Sequence, residues 1–382
     1  MKIIFKTLLG VAAAALVHSC ATAPSQTLSG LSPEKFVSEV NGKPTALYTL
    51  VNANGMEVCV TNFGGRIVSV MVPDRNGEMK DVVLGFDNIA NYADKVNTPS
   101  DFGASVGRYA NRINKGQIVI DGETIQLPQN NFGHCLHGGP DGWQYQVYDA
   151  VHPDNSTIVL TMESPDGDAN FPGAVTAVVT MKVTDDNAID ISYEAVTDKK
   201  TVINMTNHTY FNLSGDPTRR VDDHLMQIDA DNFTPVDFTF MTTGEILPVE
   251  GTPMDFRQPA AIGQDIKNFE FQQVKFGNGF DHNWCLNTAG DDTKVAARAW
   301  CPETGICLEV LTDEPGVQFY SGNFLDGSCT GKNGVTYQQS TGFCLETQKY
   351  PDTPNKPEWP SAFLEPGQKY TSHCVYRFST VE

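Results

Sequence analysis

The feature that most constrains this chain is a recurring short run of alternating apolar and polar residues, closed each time by a turn. Met56, Val58 and Val60 alternate with Glu57, Cys59 and Thr61. Ala174 to Val183 and Ile189 to Val196 flank Thr184-Asp185-Asp186-Asn187. Ile118-Val119-Ile120 and Thr124-Ile125-Gln126-Leu127 flank Asp121-Gly122, a dipeptide suited to the positive φ angles of a tight hairpin turn. A period of two puts successive side chains on opposite faces, so such runs become strands with one face on a core. Short strands at this spacing predict an all-β fold, an antiparallel sandwich or barrel. Short helices are expected around Asn88 to Ala93 and Ala260 to Ile266. Strands do not alternate with helices, which argues against a doubly wound sheet.

The amino terminus stands apart from this pattern. Lys2 and Lys6 precede an apolar run from Leu8 to Val17, and Val17-His18-Ser19-Cys20 follows. That is the layout of an export signal, and the run is shorter than the roughly 20 residues of a membrane span. It resembles a bacterial lipoprotein signal, implying cleavage after residue 19, lipid on Cys20 and an outer-membrane anchor facing the periplasm; His18 is atypical there. Residues 20–40 are read as lipidated cysteine plus flexible tether, and 41–382 as one domain. Without residues 1–19 the chain holds 24 basic and 46 acidic residues, a formal charge of −22. Nucleic acid and anionic membrane surfaces are therefore poor partners. Eight cysteines follow Cys20, an even number that permits disulfides in an oxidising compartment. Cys301 and Cys307 are placed to bridge a hairpin.

Some motifs lack the context their chemistry needs. Gly103-Ala104-Ser105-Val106-Gly107 fits G-x-S-x-G, but a nucleophilic serine there requires a strand-to-helix elbow in an α/β sheet. His134-Cys135-Leu136-His137 offers three metal-binding atoms without an evident supporting ligand. No dinucleotide or P-loop pattern is present.

Polar residues set among apolar ones carry more information. In Gly342-Phe343-Cys344-Leu345-Glu346-Thr347-Gln348, alternation puts Glu346 and Gln348 on one face of a half-buried strand. A buried carboxylate is paired, neutralised or used for proton transfer. The same parity argument joins Asp281 to Asn283 and sends His282 the other way, and it groups Thr206, His208 and Tyr210. Asn111 and Arg112 put an amide beside a guanidinium fork suited to ligand oxygens. His137 precedes two glycines that permit close backbone approach.

Five segments in order, Gly107-Arg108-Tyr109-Ala110-Asn111-Arg112, Leu136-His137-Gly138-Gly139, Asn207-His208-Thr209-Tyr210-Phe211-Asn212-Leu213, Phe280-Asp281-His282-Asn283 and the Glu346 strand, resemble the aldose 1-epimerases, or galactose mutarotases. The resemblance spans roughly residues 47 to 378. It implies a large antiparallel β-sandwich (galactose mutarotase-like supersandwich), a monomer, and exchange between the α and β anomers of free aldoses such as glucose and galactose. No metal or organic cofactor is implied. Carried over by motif position, Glu346 is the base and His208 the acid, assisted by His137. Asp281, Arg112 and Asn111 bind sugar hydroxyls, with Gln318 a further contact and Trp284 in the core. Ring opening needs a proton taken from the anomeric hydroxyl and one given to the ring oxygen. Base and acid are expected on opposite sides, with room between them for a sugar ring. The export signal departs from a family whose members commonly act inside the cell. A non-catalytic sugar-binding lipoprotein is the alternative, and a glycosidase would need two suitably spaced carboxylates.

Overall fold

The structure is a computed structural model that describes residues 26–382. The signal over 1–19, Cys20 and the first part of the tether lie outside the described residues. From Gln26 onward the expected tether is packed chain: Leu31 and Phe36 are buried, the Leu28 N–H donates to Glu57 Oε1 at 2.9 Å, and Ser38–Val40 pairs with Lys43–Thr45. The folded body thus starts before residue 41, because apolar side chains in that span find a core face to cover.

Strands dominate, and every pairing between them is antiparallel. Nine strands form the largest sheet, with Val175–Val183, Ala188–Thr197, Tyr370–Thr380 and Ile306–Thr312 adjacent at its centre. A five-stranded sheet contains Asp281–Cys285, Gly316–Tyr320 and Cys344–Gln348 as neighbours, and a four-stranded sheet covers Leu47–Asp81. The three share one apolar core: Val179, Ile191, Val310 and Tyr376 of the large sheet pack with Trp284, Phe319 and Leu345 of the five-stranded sheet and Val58 and Ile67 of the third. This is the expected β-sandwich.

Local expectations fare well. The Asp121-Gly122 turn has φ of 52° and 86° and joins Gln117–Ile120 to Glu123–Gln126. Val175–Val183 alternates buried and less buried residues along its length. Helices occur at Ile89–Ala93, where the Asn88 side chain accepts the Asn91 N–H as N-cap, and at Ile262–Asp265. A third, of six residues at Gln272–Gly277, is too short to show a helical period in the sequence. All eight cysteines among the described residues are free, so the Cys301–Cys307 bridge does not form here. The hairpin closes instead through backbone bonds between Cys301 and Ile306 and between Gly305 and Cys301.

Candidate active site

Alternation divides the five-stranded sheet into two buried faces. Trp284, Val317, Phe319 and Leu345 take the core side. On the other side, the register lines up Asn283, Gln318 and Glu346 in one cross-strand row and Asp281, Tyr320 and Cys344 in the next. Over this polar face lies a cavity of about 470 Å³ lined by Asp281, Tyr320 and Glu346, and from other segments by Asp101, Asn111, Arg112, His137, His208 and Tyr210. Six of the seven candidate catalytic and sugar-binding residues line it. The seventh, Gln318, lies immediately behind and donates through Nε2 to Asp281 Oδ1 at 2.8 Å.

Glu346 and His208 meet directly. His208 Nε2 is 3.4 Å from Glu346 Oε1, while Glu346 Oε2 is buried with no hydrogen-bond partner among the described residues. The expectation of a sugar ring between them is therefore corrected. The anomeric hydroxyl and the ring oxygen are bonded to the same carbon, so a base and an acid side by side reach both oxygens from one edge. Burial pushes the Glu346 carboxyl well above its usual range, and Asp281 and Asp101 add to this while Arg112 opposes it. Burial lowers His208, against which Asp101 and Asp281 work. Behind His208, Cys344 Sγ lies 3.5 Å from Nδ1.

His137 is held in one tautomer. Its Nδ1 accepts the Asn111 N–H at 3.0 Å, and its own backbone N–H returns to the Asn111 carbonyl at 3.2 Å. The ring proton then belongs on Nε2, which becomes a donor. Burial drives its pKa down to about 3, so this imidazole stays neutral. Its ring sits edge-on to His208, centroids 5.3 Å apart. The turn after it needs glycine: Gly138 has φ of 78°, and a Cβ there would lie 2.3 Å from the Gly107 carbonyl oxygen.

Arg112 is aimed by its neighbours. Nε donates to Asn131 Oδ1 at 3.0 Å, and the guanidinium lies 5.0 Å from the centre of the Phe240 ring. Its two terminal nitrogens have no protein partner among the described residues, leaving one side of the fork for ligand oxygens. Asn111, left-handed at φ 64°, uses Oδ1 to accept the Arg112 N–H at 2.8 Å. Tyr210 and Tyr320 wall the cavity around His208, with centroids 5.1 and 6.2 Å from it.

An acid paired with an imidazole, beside an arginine fork and a carboxylate, is equipped to bind hydroxyls and move protons. A sequence profile described as aldose 1-epimerase matches residues 46–377. The chain belongs to the aldose 1-epimerase family. Human galactose mutarotase is 40% identical over 324 residues, covering 85% of this chain and 91% of that protein. Aldose 1-epimerase of Escherichia coli K12 is 38% identical over 341 residues, 88% of this chain and 96% of that one. Among solved structures, an aldose epimerase homologue from C. elegans superposes with a TM-score of 0.81 at 31% identity, covering 88% of this chain and all of that one. Galactose 1-epimerase from Lactobacillus acidophilus gives 0.79 at 29% identity, covering 90% and 97%.

In this aldose 1-epimerase the distracting motifs resolve structurally. Ser105 is buried and donates to the Gly65 carbonyl at 2.8 Å, a backbone bond and not one to a base. The His134-Cys135-Leu136-His137 run splits three ways. His134 is held by the Lys115 N–H and Thr239, Cys135 enters an apolar cluster, and of the three ligand-bearing residues His137 alone lines the cavity. Among the described residues, potential metal-ligand atoms do gather within 4.8 Å as Asp101, His137 and His208, and as His208, Cys344 and Glu346. His137 has only Nε2 left to offer, since Nδ1 is engaged. Arg108 is structural, donating to the Pro172 and Gly173 carbonyls and to Ser164. His282 is buried against Phe233 and Trp284, on the face opposite Asp281 as parity has it, and the structure makes that face the core. Sequence reasoning missed Asp101, which sits in an aperiodic loop where no alternation marks an inward side.

Proposed function

We propose that this protein interconverts the α and β anomers of free hexoses such as glucose and galactose. The observation that carries the reading is the contact of Glu346 and His208 inside a cavity furnished with Asp281 and the open side of Arg112. Glu346, as carboxylate, takes the proton of the anomeric hydroxyl while His208, as imidazolium, gives its proton to the ring oxygen. The bond from the anomeric carbon to the ring oxygen breaks, leaving an open-chain aldehyde and a hydroxyl. Rotation beside the aldehyde presents its other face. Attack by that hydroxyl, with its proton returning to His208 and that of Glu346 passing to the aldehyde oxygen, closes the other anomer. Proton count is unchanged and no bond to the protein forms. Asp281, oriented by Gln318, Arg112 and Asn111 hold hydroxyls, and neutral His137 donates from Nε2 beside the ring oxygen. A non-catalytic binder has no use for a buried, unsatisfied carboxylate against an imidazole.

Polarimetry of freshly dissolved α-galactose and α-glucose tests the reading. Decay of rotation faster than the spontaneous rate is expected, with no release from a chromogenic glycoside. Acceleration absent for both sugars overturns it.

The same proposal places the enzyme outside the cytoplasm, anchored through lipid on Cys20 to the outer membrane and facing the periplasm. Support comes from Lys2, Lys6, the apolar run to Val17 and Cys20. There it would equilibrate sugars released from larger saccharides before uptake. Labelled fatty acid incorporated by the wild type and lost in Cys20→Ala is expected; equal labelling of both overturns the anchor.

A further inference from the structure

We propose that Asp101 is a positioning residue for the proton transfer: its carboxylate stands beside the His137–His208 pair and keeps the proton on His208 until the ring oxygen takes it. The inference rests on the anomer-exchange reading.

Three observations place the group. Ligand atoms of Asp101, His137 and His208 lie within 4.8 Å of one another, and Asp101 lines the cavity. Asp101 Oδ1 is buried without a hydrogen-bond partner among the described residues, so the carboxylate is spent on no structural bond at that oxygen. The backbone that carries it is tied to His208 itself. Ala104 pairs with His208 across two short strands, the Gly103 N–H donates to the His208 carbonyl at 3.0 Å, and Asn207 Nδ2 donates to the Gly103 carbonyl at 3.1 Å. On its other side Gly103, at φ 69°, packs on the Ile67 strand, accepting the Ile67 N–H at 2.9 Å, where a Cβ would lie 1.9 Å from the Ile67 carbonyl oxygen.

The chemistry needs such a group. Burial pushes both members of the Glu346–His208 pair towards their neutral forms, whereas ring opening needs carboxylate and imidazolium. Arg112 supplies the opposite charge that favours ionised Glu346. His208 needs a negative charge of its own. The other groups around it are accounted for. Glu346 faces it as the reacting base, with Cys344 behind on the same strand. Asp281 also favours the imidazolium but is engaged by Gln318. Arg66, on the strand behind, disfavours it. Tyr210, Tyr320 and His137 present neutral rings. Asp101, beside His208 and free of any hydrogen bond at Oδ1 among the described residues, is the negative charge left to favour the imidazolium.

Asp101→Asn keeps the shape and removes the charge. With His208 made less basic, kcat/KM on the alkaline side falls about tenfold. On the acid side it is unchanged or higher, because His208 is protonated there in both proteins and Asp101 also opposes ionisation of Glu346. Asp101→Glu should retain the wild-type profile, and Asp101→Ser should repeat the alkaline loss. Loss of equal size at every pH, with raised KM, overturns the inference in favour of a hydroxyl contact. A wild-type profile in either uncharged variant overturns it as well. Wild-type polarimetry tests the anomer-exchange reading separately: an active wild type with unaltered variants rejects only the role of Asp101.

Discussion

Glu309 and Glu346 both lie on strands, both nearly hidden from solvent, and their surroundings have opposite chemistry. Glu309, on the nine-stranded sheet, is 9% exposed and lies in register between Arg298 and Arg377. Arg298 pairs with Oε1, and Arg377 donates to Oε2 through Nε at 3.1 Å and a terminal nitrogen at 2.8 Å. Those two guanidinia hold its carboxyl below the usual range, outweighing burial. Glu346 is 2% exposed, faces one imidazole, has one oxygen unpaired, and is pushed well above that range. A carboxylate satisfied at both oxygens has nothing left to react with. One left half-satisfied in a cavity is costly to fold around and available for proton transfer. The histidines repeat the lesson. His373 sits between Asp190 and Asp292 at 3.1 and 2.8 Å and is raised to about 9, while His208 is lowered by its burial.

Removing each side chain's function should separate the two regions. Glu346→Gln should cut mutarotation by about 10²–10⁴, the span of a general base, while sugar binding by calorimetry persists. Near-wild-type rotation decay would merge it with Glu309 as a structural acid. His208→Asn should fall within the same span in kcat. A loss confined to KM would make it a binding group. Asp281→Ala should weaken sugar affinity by about 1.5–3 kcal/mol, the range of a hydrogen bond to a charged group. Unchanged affinity by titration calorimetry would remove Asp281 from the sugar site.

On the structural side, Glu309→Gln should leave polarimetric activity intact and lower stability by about 1 kcal/mol, since its arginines are partly solvated. A change in catalytic rate would break the contrast. The smallest effect concerns His373, whose folded-state pKa of about 9 exceeds the ordinary histidine value of 6.5. Its contribution is fully present below about pH 6.5 and is lost as pH rises through about 9. The melting temperature should therefore drop between those values, and drop less in His373→Asn. An equal drop in both would show that the ion pairs with Asp190 and Asp292 add nothing.

Much of this contrast was legible one strand at a time. Parity alone put Glu346 opposite Leu345, Asp281 with Asn283 and His282 on the other face, because side-chain direction in a strand depends only on position along it. Loops gave no such rule. Asp101 precedes a three-residue strand and Asn131 follows no period, so neither announced that it would reach Arg112 or His208. The folded segment ahead of residue 41 was misread for a related reason: Leu31 and Phe36 are too far apart and too few to form a pattern, yet a core face receives both.

By itself, then, the sequence determined the all-β class, the inward identity of the strand residues and the family, since alternation and motif order are properties of neighbours in the chain. Only the tertiary structure decided that Glu346 touches His208 across 138 positions, that the Asn111 backbone chooses the tautomer of His137, and that Asp101 joins them. Those are matters of register and loop path. Both are set by which faces pack together, a choice made by the whole core at once and written in no single segment.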